Sequence, residues 1–315
     1  MLHGLLDYIC FPLNSRPGRN FAATTALSTL ITVDIEQHIS ETDVPPQPVD
    51  VDPQFVSPDN PPWNTLIAFA LWFLSVILIF LMPVVFLFPY IITSGSLAGS
   101  GEQLAKFATT DPTAVALQML AVIPAHIFTL IFAWIVITRR RQFSFWKTLG
   151  MQSGGIRWWH HVLIFLAFAA LAMVVSSFFP ETENELTRIL KSSRAAVLIV
   201  AVIATFSAPL VEEVVYRGVL YSALQRSAGI PAAVAIVTLM FASVHVLQYY
   251  ESPSVLILIT VLSLILTLMR SYSKNLLPCI IFHTVVNGVQ SLALLVEPYA
   301  NQASDTNVAS IHLFK

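Results

Sequence analysis

The sequence predicts an all-α fold, a polytopic transmembrane bundle of about seven spans, and three observations carry that prediction. Of the 315 residues 56% are hydrophobic and only 11% are charged, with a mean hydropathy of +0.74. The apolar residues gather in runs of roughly 20 or more, the length a helix rising 1.5 Å per residue needs to cross about 30 Å of hydrocarbon. The basic residues cluster in one loop between two such runs, the asymmetry that sets orientation in a membrane. A net charge of -2 and a pI near 6.4 leave no cationic excess for a phosphate backbone, so nucleic acid is excluded as a partner. Cys10 and Cys279 lie in unlike surroundings and imply no disulfide framework.

In chain order, residues 1–63 read as a cytoplasmic N-terminal segment, largely disordered. Its stretch Asp-Val-Pro-Pro-Gln-Pro-Val-Asp-Val-Asp-Pro is acidic, proline-rich and too poor in apolar surface to fold alone. Within it, 34–63 is expected to be a tail and 1–13 at most an interfacial helix. N-terminal transmembrane helices occupy 64–194, a second transmembrane core 195–296, and a tail 297–315. Spans are predicted at 64–93, 113–137, 159–179, 195–227, 230–248, 253–270 and 276–296. The loop after the second span carries Arg139, Arg140, Arg141, Lys147 and Arg157, which places it in the cytoplasm. Alternation then puts the N-terminus and the turns near Gly229 and 271–274 inside, with the loops 94–112 and 180–194 outside. The same loop holds Phe143, Phe145, Trp146, Trp158 and Trp159 beside His160 and His161, an aromatic belt at headgroup level.

The fourth span is interrupted by charge. Glu212 and Glu213 follow a run from Ala195 to Val211 without an ionisable side chain, where a charge costs several kcal/mol unless it is paired. Glu213 stands four residues before Arg217, the orientation that forms a helical ion pair, while Glu212 is turned about 100° away and faces something else. From Gly229, Glu212 lies 17 residues back and His245 lies 16 forward. Equal distances from the turn of an antiparallel hairpin mean equal depth, so the two are expected to meet, with Phe241 one turn before His245 packing its ring. The last span places His283 and Asn287 on one face, where both can direct hydrogen-bond donors into a shared cavity. His126, alone among apolar neighbours, reads as an interhelical contact.

Glu212-Glu213 through Arg217, Phe241 through His245, and His283 through Asn287 resemble the three motifs of the CPBP superfamily. This group comprises the CAAX-protease and bacteriocin-processing enzymes, also called CAAX prenyl protease 2 or lysostaphin-resistance-like (Abi) proteins. The likeness covers about 195–290. It implies an integral-membrane endopeptidase with its site open toward the cytosol, in which Glu212 and His245 activate a water while His283 and Asn287 stabilise the oxyanion. Glu213 and Arg217 would then support the helix so that Glu212 points correctly. No cofactor is favoured. A zinc-dependent alternative would take Glu212, His245 and His283 as ligands, although the sequence holds no His-Glu-x-x-His. Expected partners are the bilayer and a peptide or protein substrate, lipidated or not. A non-catalytic membrane immunity or scaffold protein is a further alternative. A transporter would show internal repeats, and none is visible.

Overall fold

Why the chain forms separate helices is visible at their ends. The computed structural model describes residues 56–96, 99–179 and 194–312, with side chains through Val296, and all of these fall in the unit Val51–Lys315. The expectations for residues 1–55, among them an interfacial helix at 1–13, lie outside the described residues. Helix α1 (Thr65–Thr93) begins where the Asn64 side chain accepts from the amide of Ile67 at 2.9 Å. A short helix α2 (Gly101–Thr110) starts in a Ser100/Gln103 capping box, and Asp111 then caps α3 (Pro112–Leu120) with proline in its first turn. The loop expected at 94–112 thus contains a helix of its own. After a break at Ala121 comes α4 (Val122–Thr138); Pro124, which has no N–H to donate back to Leu120, accounts for the break.

The basic loop holds α5 (Phe145–Leu149), and α6 (Trp158–Phe178) follows. The long motif helix α7 (Arg194–Ala228) turns at Gly229, whose φ of 81° suits glycine, into α8 (Ile230–Tyr249). Helices α9 (Pro253–Ser273) and α10 (Leu277–His312) complete the fold. Among the described residues, seven helical stretches are long and apolar enough to cross a membrane, and their bounds agree with the sequence reading within three residues. The protein is a multi-pass integral membrane protein.

Helix α7 is the centre of the bundle. Every residue from Glu213 to Leu224 is buried, packed by Ala68 and Leu71 of α1, Ala133 and Ile137 of α4, and Val237 and Phe241 of α8. A helix buried on all sides is a core helix, whereas the outer helices leave side chains such as Phe73, Val84, Leu166 and Leu264 exposed, as lipid-facing surface must.

The segment expected to remain a tail up to residue 63 is packed from residue 57 onward. Trp63 is buried and donates its indole N–H to the Val219 carbonyl at 3.0 Å. Arg226 donates to the carbonyls of Pro61 and Trp63, both at 2.8 Å, and Arg270 pairs with Asp59 at 2.9 Å while donating to the Pro58 carbonyl. Prolines cannot donate to a ladder, but the carbonyls of a proline-rich strap remain strong acceptors, and two arginines take them.

Candidate active site

Two of the five segments of α7 are π-helical, Ile203–Ser207 and Glu213–Leu220. In the first, the Ala208 amide donates to Ile203, five residues back. That register assigns the Ala204 carbonyl to residue 209, which is a proline and has no N–H. Asn287 on α10 supplies the missing donor, its Nδ2 lying 2.9 Å from the Ala204 oxygen. One amide hydrogen of Asn287 is therefore engaged with backbone, and its second remains.

The second π segment carries the charged pair. Arg217 Nη1 donates to Glu213 Oε1 at 2.9 Å, the four-residue ion pair expected from the spacing, with both side chains wholly buried. A buried pair is stable only if its other hydrogen-bonding atoms find partners. Ser263 and Thr267 of α9 provide them: Arg217 Nη2 donates to the Ser263 carbonyl at 3.0 Å and hydroxyl at 2.8 Å, and Nε donates to Thr267 Oγ1 at 3.3 Å. The guanidinium also lies 4.7 Å from the Phe241 ring centroid. The sequence signal for this clasp is a stripe at three- and four-residue spacing on α9, Ser263, Thr267 and Arg270, which reading for acids and histidines alone passes over.

Glu213 has a second partner that spacing did not announce. His283 Nδ1 lies 2.8 Å from the same Oε1 atom. A carboxylate accepts, so Nδ1 carries a proton, and the ring presents Nε2 to the other side, where Glu212 Oε2 stands at 3.7 Å. Glu212 itself keeps 27% of its side chain exposed, unlike its buried neighbour.

His245 is half-buried on α8. Its Nδ1 donates to the Phe241 carbonyl at 2.8 Å, leaving Nε2 without a hydrogen-bond partner among the described residues, and its ring packs 4.9 Å from Phe241. The hairpin register is visible one turn closer to Gly229, where Tyr216 and Phe241 meet edge to face at 5.0 Å. Those two residues lie 13 back and 12 forward from the turn, so Glu212 and His245, each four residues further out, are level with one another. Among the described residues no hydrogen bond or ion pair joins them directly. Phe241 lies between the halves of the site, 6.0 Å from His283. Trp72 of α1 donates to the Tyr216 hydroxyl at 3.0 Å, a support the sequence reading did not foresee.

Of the remaining histidines, His126 pairs with Ser207 of the first π segment at 3.0 Å, an interhelical contact. His160 accepts from the Arg157 amide, and His161 lies 3.3 Å from the carbonyls of both Arg157 and Pro278. Neither stands in the constellation.

Zinc would need three or more donors converging on one point. Among the described residues no three His, Cys, Asp or Glu side chains do so. Two cavities, of about 670 and 370 Å³, open beside the strap and the basic loop and are not lined by these residues.

Residues 194–289 match the family model described as type II CAAX prenyl endopeptidase Rce1-like. This stretch is an Rce1-like domain. It holds Glu212, Glu213, Arg217, Phe241, His245, His283 and Asn287, and residues 1–193 and 290–315 lie outside it. Proteins of that family are CAAX endopeptidases, hydrolases of peptide bonds, and the Rce1-like domain makes this chain a membrane endopeptidase. No curated protein and no solved structure matches the chain.

Proposed function

We propose that the chain cleaves a peptide bond of a membrane-associated peptide or protein, with Glu212 as general base and His245 beside it orienting the attacking water. Glu212 takes a proton as the water oxygen attacks the scissile carbonyl, and the resulting oxyanion is stabilised by the second amide hydrogen of Asn287 and by His283, which in this proposal is protonated on both nitrogens, Nδ1–H donating to Glu213 and Nε2–H to the oxyanion. Glu212 then returns the proton to the leaving nitrogen, the C–N bond breaks, and a carboxylate and an amine are released. Glu213 and Arg217 are positioning residues. The observation that carries this reading is the shared Glu213 oxygen, 2.9 Å from Arg217 and 2.8 Å from His283, which fixes the imidazole with Nε2 toward Glu212. In this reading the reaction uses no resident metal.

The site faces the cytosol in this proposal. His283 lies six residues into α10 from Leu277, about 9 Å along the helix. The start of α10 is tied to the basic loop, since the Leu276 amide donates to the Gly150 carbonyl at 2.7 Å. The family description makes a prenylated CAAX-type C-terminus the first substrate to try.

The test is cleavage of internally quenched peptides, prenylated and plain, by the protein in liposomes. The proposal expects wild type to cut and Glu212→Gln to lose about 10²–10⁴-fold in rate, the usual worth of a general base. Equal rates for the two proteins would exclude Glu212 as the base.

A further inference from the structure

The larger of the two cavities, about 670 Å³, belongs to none of the chemistry above. Its wall joins the strap, the basic loop and the α9–α10 turn, with Trp146, Lys147, Gln152, Lys274, Asn275 and Asp59 among its lining. Lys147 and Lys274 are exposed and have no ion-pair partner among the described residues. Asp59 does not neutralise them, because its Oδ1 accepts from Arg270 at 2.9 Å and from Gln225 at 3.0 Å. The cavity is therefore a cationic hollow with amide donors at Gln152 and at Asn275, whose Nδ2 gives one hydrogen to the Ser273 carbonyl at 2.7 Å and keeps the other.

Two further observations give its depth and its cost. Trp146 is 53% exposed on α5 while Thr148 and Leu149 of the same helix are buried, which places the cavity mouth at the aromatic belt, the level of lipid headgroups. Lys274 ends α9 with φ at 55°, a left-handed conformation that glycine adopts without penalty and lysine does not. A lysine held there at a conformational cost, lining the same hollow as a second lysine without an ion-pair partner among the described residues, fits a ligand that carries negative charge.

We infer that this cavity is a binding site for the phosphate group of an anionic phospholipid headgroup, held by Lys147 and Lys274. Ammonium groups on long stems suit a phosphate approached from the bilayer side, and Asn275 and Gln152 offer donors to its other oxygens. The bound lipid joins the basic loop to the turn that leads into α10, six residues before His283.

The experiment follows thermal unfolding of the full chain in detergent micelles with dioctanoyl phosphatidylglycerol, dioctanoyl phosphatidylcholine or inorganic phosphate. The expected result is a rise in Tm with the anionic lipid that saturates, and that needs about tenfold more lipid in the Lys147→Ala/Lys274→Ala variant. Arg157→Ala, a basic residue of the same loop outside the cavity, should respond as wild type does. Both lysines are exposed, so the double variant's Tm without lipid should match that of wild type. If inorganic phosphate alone gives the same lysine-dependent rise, the site stands and its source is free phosphate. Equal responses to the two lipids, or a double variant that responds as wild type, would overturn it.

Discussion

Glu213 and His283, 70 residues apart in sequence, share a 2.8 Å hydrogen bond in the buried centre of the bundle. The same Glu213 oxygen also accepts from Arg217, so one carboxylate determines both how the cation is held and which imidazole nitrogen faces Glu212. Replacing Glu213 by Gln keeps the shape but removes the carboxylate that accepts from Nδ1–H, so the doubly protonated His283 and its Nε2–H donor are no longer held. We expect a loss on the order of 10²-fold or more in kcat, with KM little changed, since a lost oxyanion donor damages the transition state rather than binding. Steady-state kinetics in liposomes on a cleaved peptide reads this split.

Arg217→Ala leaves Glu213 buried without its cation and strips Ser263 and Thr267 of a partner. Removing one member of a buried pair costs about 3–5 kcal/mol, so the variant should unfold at markedly lower temperature and accumulate poorly. Arg217→Lys restores charge but not the fork that reaches both Glu213 and Ser263, and should recover only part of the loss. Wild-type melting of Arg217→Ala would contradict the buried-clasp account.

Asn287 has a structural duty that its proposed role in the oxyanion hole conceals, and the two separate in a double-mutant cycle. Asn287→Ala alone leaves the Ala204 carbonyl without a donor, a loss of about 1–3 kcal/mol in stability. In a Pro209→Ala background residue 209 regains its N–H, so the stability cost of Asn287→Ala should shrink while its effect on kcat persists. Activity that recovers together with stability would assign Asn287 to the backbone alone.

The strap offers a stability prediction remote from the chemistry. Asp59→Ala removes the partner of the buried Arg270, and because the Asp59 side chain is 33% exposed the expected cost is about 1–3 kcal/mol rather than the full buried-pair value. Thermal unfolding of the variant checks it, and an unchanged Tm would show that water replaces the pair without loss.

The seven spans were legible because a bilayer imposes length and apolarity on any helix that crosses it, and the Glu213–Arg217 pair was legible because it obeys four-residue spacing. The Tyr216–Phe241 contact shows that counting from Gly229 gave the hairpin register correctly. What escaped the sequence depended on departures from regularity. The π register before Pro209 redirects Asn287 to a carbonyl, and no 3.6-residue wheel anticipates it. The ordered strap at 57–63 escaped because composition describes what a segment does alone, and this one is held by Arg226 and Arg270 from distant helices. The bond from His283 to Glu213 rather than to its neighbour required knowing which carboxylate faces inward.

The central claim, that Glu212 is the base and Glu213 the residue that positions His283, is tested most directly by measuring peptide cleavage with wild type, Glu212→Gln and Glu213→Gln side by side, before and after exhaustive chelation. The account predicts that Glu212→Gln falls to background, that Glu213→Gln keeps a reduced but measurable rate, and that chelation changes neither wild type nor Glu213→Gln. An active Glu212→Gln beside a dead Glu213→Gln, or wild-type activity lost on chelation and restored by zinc, would contradict it.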